Sequence, residues 1–385
     1  MQYLDYIIQH YGWQGTALAA AILVLFFVQL YYHIVAYGRV ANFRNSRRRK
    51  RLNEEPPVSV VVPLFAEDYT FMDERLPLLM SQRYNATYEI VVVYVGSDND
   101  FFEELSNMRL RWPNLLVTKI QYNPRFPISV KMAINVGIKS AHNEHILITT
   151  TDAVPASEQW LAMMGKAFMR GEIVLGYTSV EQTPGLVNYL IRMSRMQIST
   201  WWLARAVQGK TYRGSRHNIG FTKSLYFGVK GFTHLNMTIG ENDLFIQSIA
   251  HDNNASVVLI PKGRVIEHQW GGLKWWISHL HHYGEAYRFY PHAARNAAEW
   301  EIGSQILFAL SALTAIAVMP LEFKAAALLL ILVRYIAVVL RARSIAKRVG
   351  EQGVALRYFI FDCFNPLMLL YTRIVMLQKD STAWK

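Results

Sequence analysis

Cysteine is nearly absent from this chain of 385 residues, with Cys363 its single example. An intramolecular disulfide framework is therefore excluded. The thiol lies in an apolar stretch, where packing is its expected role. Internal repeats and low-complexity tracts are missing too. Acidic residues are scarce, 28 Asp and Glu against 40 Lys and Arg, and the net charge of +12 suits nucleic acid, anionic lipid or phosphorylated substrates. Nucleic acid ranks last, because the basic residues cluster beside hydrophobic runs instead of tiling one domain face. No Lys or Arg precedes the first hydrophobic run, which argues against a cleaved signal peptide.

What is abundant is apolar surface. At 52% apolar and 13% aromatic residues, the composition points to membrane segments. Residues 16–37 form a nearly uncharged run long enough to cross a bilayer as a helix. Tyr11 and Trp13 on one side and Tyr31, Tyr32 and Tyr37 on the other suit the two interfaces. Arg44, Arg47, Arg48, Arg49, Lys50 and Arg51 follow, which by the positive-inside rule puts the amino terminus outside and the next segment in the cytoplasm. Residues 302–319 and 325–340 read as a transmembrane hairpin about Pro320. Its return leg carries Arg334, costly in lipid unless it faces protein or water or snorkels. Arg341, Arg343, Lys347 and Arg348 then mark a cytoplasmic turn. Residues 354–377 contain Arg357, Asp362 and Arg373, favouring an interfacial or re-entrant helix. Three parts follow: a membrane anchor with its basic flank (1–52), a catalytic-type domain (53–300), and a hairpin with an interfacial helix (301–385).

The middle part alternates strand and helix, the pattern of a mostly parallel α/β sheet. Residues 58–65, 88–95, 115–121, 145–149, 172–177 and 257–260 read as strands. Segments 73–83, 101–110, 160–169 and 186–207 read as helices, and 211–222, with two glycines, as a binding loop. The stretch from Ser129 to Trp160 organises this part. A helix pattern leads into the apolar run at 145–149, then into three threonines and Asp152, with Pro155 barring further strand. An acid where a buried strand empties into a loop is placed to share a divalent cation with a phosphate-bearing ligand, or else to cap the next helix.

Several stretches together resemble one family. PPVSVVVPLFAED, VKMAINVGIKSA, TTDAVP and GENDLF occur in the order found in membrane-bound family 2 glycosyltransferases, which have the GT-A nucleotide-diphospho-sugar fold. The likeness covers roughly residues 56–290 and the flanking hydrophobic plan. It implies donor binding by Pro63, Glu67, Lys131, Asp98 and Asp152, and Mg²⁺ or Mn²⁺ as cofactor. It also implies a cytoplasmic catalytic domain on the inner membrane and inverting transfer to a lipid-linked or polysaccharide acceptor. Departures are visible. Thr150 stands where the metal motif has its first Asp, and Tyr94 and Val95 where the nucleobase-binding Asp falls. Histidines in 275–282 replace polar and basic members of a late motif. The alternative reading is therefore a catalytically degenerate relative that serves as a binding or partner subunit.

The chemistry needs diphosphate neutralisation, a base and an acceptor site. Arg213 and Arg216 can add charge beside Asp152. Asp243 is the expected base and Glu241 the second choice, ionised by the helix start; helix capping is the plainer role for the pair. Trp201, Trp202, Trp270, Trp275 and Trp276 offer faces for stacking sugars, or simply for packing. Trp275, Trp276, His281 and His282 are expected at the acceptor gate. His279, His281 and His282 lack zinc-helix spacing. His268 is a candidate third metal ligand or a core histidine.

Overall fold

The computed structural model describes residues 2–44, 54–121, 125, 128–232, 241–269, 271–354 and 357–378, with side chains of 2–11, 241–242 and 375–378 outside the description. The basic run from Arg47 to Arg51, and Trp270, fall outside it as well. The chain forms two compact units. One comprises 1–42, 291–347 and 352–371, and the other 43–290, 348–351 and 372–385.

From the amino end, α1 (Gln2–Leu30) runs through a π-helical stretch, Tyr31–Ala36, towards α2 (Gly38–Ala41). Gly12 interrupts α1 with φ of 71°, a left-handed conformation that glycine accepts without strain. The second unit then alternates as its sequence suggests. β1 (Val58–Phe65), α3 (Leu76–Met80), β2 (Tyr88–Gly96), α4 (Asn99–Asn107), β3 (Leu115–Gln121), α5 (Val130–Ser140) and β4 (His145–Ile148) come first. Next are β5 (Ala153–Pro155), α6 (Trp160–Gly165), β6 (Ile173–Gly176), β7 (Thr178–Val180) and α7 (Leu186–Ala206). The unit continues with β8 (Ile219–Thr222), α8 (Lys223–Gly228), α9 (Glu241–Ile249), β9 (Ala255–Val258), β10 (Val265–Glu267) and α10 (Leu273–Tyr287).

A seven-stranded sheet has the order β3-β2-β1-β4-β8-β6-β9, and a three-stranded sheet the order β5-β10-β7. Central β1 is buried from Val58 to Leu64, as its unbroken β-branched run requires. Val61 turns its carbonyl to β4, accepting from Thr149 N at 3.2 Å. Pro63, two residues on, faces the same way beyond the end of β4, where no ladder donor is needed. Helix α5 lies close on β1: a Cβ on Gly137 would stand 2.4 Å from Val61 Cγ1.

Three expectations need correction. The end of the supposed loop at 211–222 is β8, a fully buried strand antiparallel to both β4 and β6. Pro155 does not bar a strand; it ends β5, which lies at the edge of the small sheet, where a missing N–H is tolerated. The segment expected as one helix over 73–83 is a π turn at Phe71–Arg75 followed by α3.

The first unit adds α11 (His292–Val318), α12 (Leu321–Val349) and α13 (Tyr358–Gln378), which contains Pro366. Among the described residues, three helical stretches are long and apolar enough to cross a membrane: Gly12–Ala41, His292–Val318 and Leu321–Val349. Their polarity is inverted relative to a water-soluble bundle. Phe27, Leu307, Leu310, Leu313, Leu329 and Leu332 are exposed, whereas Arg334 and Asp362 are buried. Arg334 bonds Asp362 Oδ2 at 2.5 Å and Gln29 Oε1 at 3.0 Å, which satisfies the charge inside the unit. Cys363 is exposed on α13, not packed.

Candidate active site

The connection from β4 in the large sheet to β5 in the small one is four residues long, and it carries Asp152. Because β5 pairs with β10, with Ala153 opposite Glu267, the same crossing brings Glu267 to the site. His217 stands between the two carboxylates. Its Nδ1 is 3.5 Å from Asp152 Oδ1 and its Nε2 is 3.4 Å from Glu267 Oε1. The Thr150 hydroxyl donates to Asp152 and meets His217 Nδ1. With one proton to give, it accepts from a His217 N–H. Arg216 Nη2 approaches Asp152 Oδ2 at 3.7 Å. Glu267, 1% exposed, also faces Arg195 Nη2 at 2.6 Å and His279 Nε2 at 3.3 Å.

Burial works to raise the Asp152 pKa, but the His217 hydrogen bond and charge, with Arg216, hold it well below the usual carboxylate range. At Glu267 burial is likewise overcome, chiefly by Arg195 and His217. For His217 burial acts to lower the pKa, and the facing Glu267 raises it instead.

Asp243 lies in the first turn of α9, 8% exposed. Its Oδ2 meets Arg213 Nε at 3.1 Å and accepts a short hydrogen bond from the Tyr290 hydroxyl. Arg213 in turn lies 4.8 Å from the ring centroid of Tyr283 and 5.8 Å from that of Tyr290. Burial raises the Asp243 pKa, and the opposing pull of Arg213 and Tyr290 does not cancel it. The side chain of Glu241 falls outside the described residues.

A cleft of about 330 Å³ opens beside these groups, and Asp152, Thr150 and Glu267 are not in its lining. Arg213, Arg216, His217 and Asp243 line it, with Ile191, Arg195, Ile198 and Trp202 of α7. Helix α10 contributes Trp275, Trp276, His279 and His282, which share a face at three- and four-residue spacing. His281 falls on another face and is not in this lining; its Nε2 is buried without a hydrogen-bond partner. Burial, then the neighbouring His279, lowers the His282 pKa. Trp201 packs in the core.

Other expected residues sit outside this lining. Lys131 follows Val130, which reaches the cleft, in the first turn of α5. Exposed Glu67 accepts from the hydroxyl of buried Tyr94 at 2.5 Å. Asp98 caps α4, accepting from Phe101 N at 2.9 Å, and Lys119 donates to its carbonyl at 3.1 Å. His268 N bonds Asp152 O at 2.8 Å, but its ring turns to Glu181 at 2.5 Å. Among the described residues no group of three or more His, Cys, Asp or Glu is placed to hold a metal ion. Sequence reasoning missed His217, Glu267, Arg195 and Tyr290. Only His217 had a local signal, its place beside Arg216 in the donor-rich loop.

No protein-family model matches the chain, and no curated protein matches it by sequence. Solved structures do. The mannosyltransferase PcManGT from Pyrobaculum calidifontis, in complex with GDP-Man and Mn²⁺, superposes with a TM-score of 0.55 at 19% identity. That match covers 91% of this chain and 99% of the other. Residues 1–349 of S. aureus TarS match with a TM-score of 0.42 at 14% identity, over 84% of this chain and 91% of the other. At 19% identity the first likeness is one of fold: the chain has the mixed α/β architecture of that mannosyltransferase.

Proposed function

We propose that this chain is a membrane-anchored glycosyltransferase of the GT-A, family 2 type. It moves a sugar from a nucleotide-diphospho-sugar to a lipid-linked or polysaccharide acceptor with inversion. The observation that carries this reading is the five-residue segment Arg213–His217. Its one end pairs with Asp243 and its other end with Asp152, on the wall of a single cleft. That pairing supports a base and a diphosphate-binding group acting in one reaction space.

Asp243 takes the proton of the acceptor hydroxyl. A carboxylate whose pKa burial has lifted is a better base near neutrality than an ordinary aspartate. Arg213 and Tyr290 hold it in place through Oδ2. Arg216, half-exposed, swings to the departing diphosphate. Trp275, half-buried, offers a flat face to the acceptor sugar, and Trp276, buried, supports it. Asp152 is one carboxylate with a neutral threonine beside it, a donor set that suits Mg²⁺ or Mn²⁺ completed by phosphate oxygens. Such an ion supplies further charge neutralisation to the leaving group. Three apolar helices support an inner-membrane site with the second unit in the cytoplasm, the side given by the basic flanks.

The test is a screen of nucleotide sugars for binding to, and transfer by, the detergent-solubilised chain. Transfer from at least one donor is expected. Binding of none, with or without Mn²⁺, removes the transferase reading in favour of a non-catalytic partner subunit.

A further inference from the structure

Arg373, near the end of α13, belongs to the second unit, as do Tyr283, Tyr287, Tyr290 and Asp243. Its described partners are two tyrosines. The guanidinium carbon lies 3.2 Å from the ring centroid of Tyr287 and 6.0 Å from that of Tyr283, and the group hydrogen-bonds the Tyr283 hydroxyl. The same Tyr283 ring carries Arg213 at 4.8 Å, and Arg213 Nε meets Asp243 Oδ2 at 3.1 Å. We propose that Arg373 is a positioning residue for the base: it fixes Tyr283, and through Tyr283 the Arg213 guanidinium that holds Asp243. The inference rests on the transferase reading and adds to it a residue that no local motif marks.

The argument is one of packing around a cation. Tyr283, Tyr287 and Tyr290 recur at four- and three-residue spacing and are all buried. Their rings touch one another, with centroids 5.8 Å apart for Tyr283 and Tyr287, 6.2 Å for Tyr283 and Tyr290, and 5.8 Å for Tyr287 and Tyr290. Arg373 sits against the first of these pairs, and Arg213 lies over Tyr283 and Tyr290. A guanidinium held by ring faces keeps its plane only while the rings keep theirs. Without Arg373 the buried Tyr283 hydroxyl loses a donor, and the ring turns to recover one. Arg213 then loses one of its two rings, and its grip on Asp243 loosens. The charge on Asp243 responds in a set direction. Burial raises its pKa, and Arg213, the Tyr290 hydroxyl and Arg216 oppose that rise, with Tyr212 and Tyr283 the other titratable groups beside it. A looser Arg213 opposes burial less, so the pKa moves further up.

The test is transfer kinetics against pH for the full-length, detergent-solubilised chain, with a donor that wild type uses. Arg373→Met keeps an apolar stem and removes the cation. Its kcat is expected to fall at least about tenfold, and up to about 10²-fold, at neutral pH. Donor KM is expected within about threefold of wild type, and the acidic limb of the kcat profile at higher pH. Arg373→Lys keeps a cation and a donor and is expected to recover most of the rate. Tyr283→Phe keeps the ring and removes the hydroxyl that Arg373 holds. Combined with Arg373→Met, it is expected to lose little more than Arg373→Met alone. An unmoved acidic limb overturns the proposal. So does a donor KM that rises in step with the fall in kcat, or a double variant in which the two losses multiply. Should Arg373→Met fail to fold, Tyr283→Phe alone decides: an upward shift of the limb supports the proposal, and an unmoved limb overturns it. Absence of transfer by wild type from any donor removes the transferase reading and the positioning role with it. Wild-type transfer beside an unmoved limb overturns the proposal alone.

Discussion

Asp243 shows how one carboxylate is tuned by three neighbours. Burial raises its pKa, and Arg213 and the Tyr290 hydroxyl pull the other way. As the proposed base it works only when ionised, so the acidic limb of the rate profile is expected at higher pH than for an ordinary aspartate. Tyr290→Phe removes a contact that favours the ionised form. Its acidic limb is expected to move to still higher pH, with activity regained at alkaline pH; an unmoved or lowered limb in kcat profiles contradicts this. The residue scale is also where the sequence was least legible. GENDLF announced an acid at a helix start but gave no sign that Tyr290, 47 positions later, reaches it. Likewise the His217–Glu267 pair joins a loop to a strand 50 residues on, a contact made only by the pairing of β5 with β10.

Elements were easier to read, because their signals are local. The buried runs of β1 and β2 and the helical pattern of α5 appear where hydrophobic periodicity puts them. Segment β8 escaped because glycines and polar donors surround a strand of four residues, and its antiparallel direction is a tertiary fact. Close packing of α5 on β1 gives a test at this scale. Gly137→Ala puts a Cβ 2.4 Å from Val61 Cγ1, in the core of a sheet that cannot yield. A loss of about 1–3 kcal/mol is expected from overpacking, read as a lower midpoint in thermal denaturation. Gly303→Ala, in α11 with nothing within 4 Å of the new Cβ, is expected to raise stability by about 0.4–1 kcal/mol. The reverse order of the two variants would contradict the packing described.

At the scale of the whole molecule, inverted polarity identifies the first unit. Leucines face outward, and an arginine and an aspartate face inward. Arg334 was visible in the sequence as an anomaly inside an apolar run; its partners Asp362 and Gln29, from two other helices, were not. Arg334→Ala leaves Asp362 buried and unpaired, and is expected to cost about 3–5 kcal/mol. Arg334→Met with Asp362→Leu removes both charges and is expected to cost far less, in thermal denaturation of the solubilised protein. Equal losses in both variants would mean that the ion pair does not govern this unit.

The second unit supports one central claim: a nucleotide sugar binds in the α7–α10 cleft, and Asp243 takes a proton there. Parallel measurement of donor affinity and transfer rate in Asp243→Asn tests it most directly. Donor affinity within about threefold of wild type, together with a rate lowered by about 10²–10⁴-fold, is the predicted result. A variant that transfers sugar at the wild-type rate contradicts the claim.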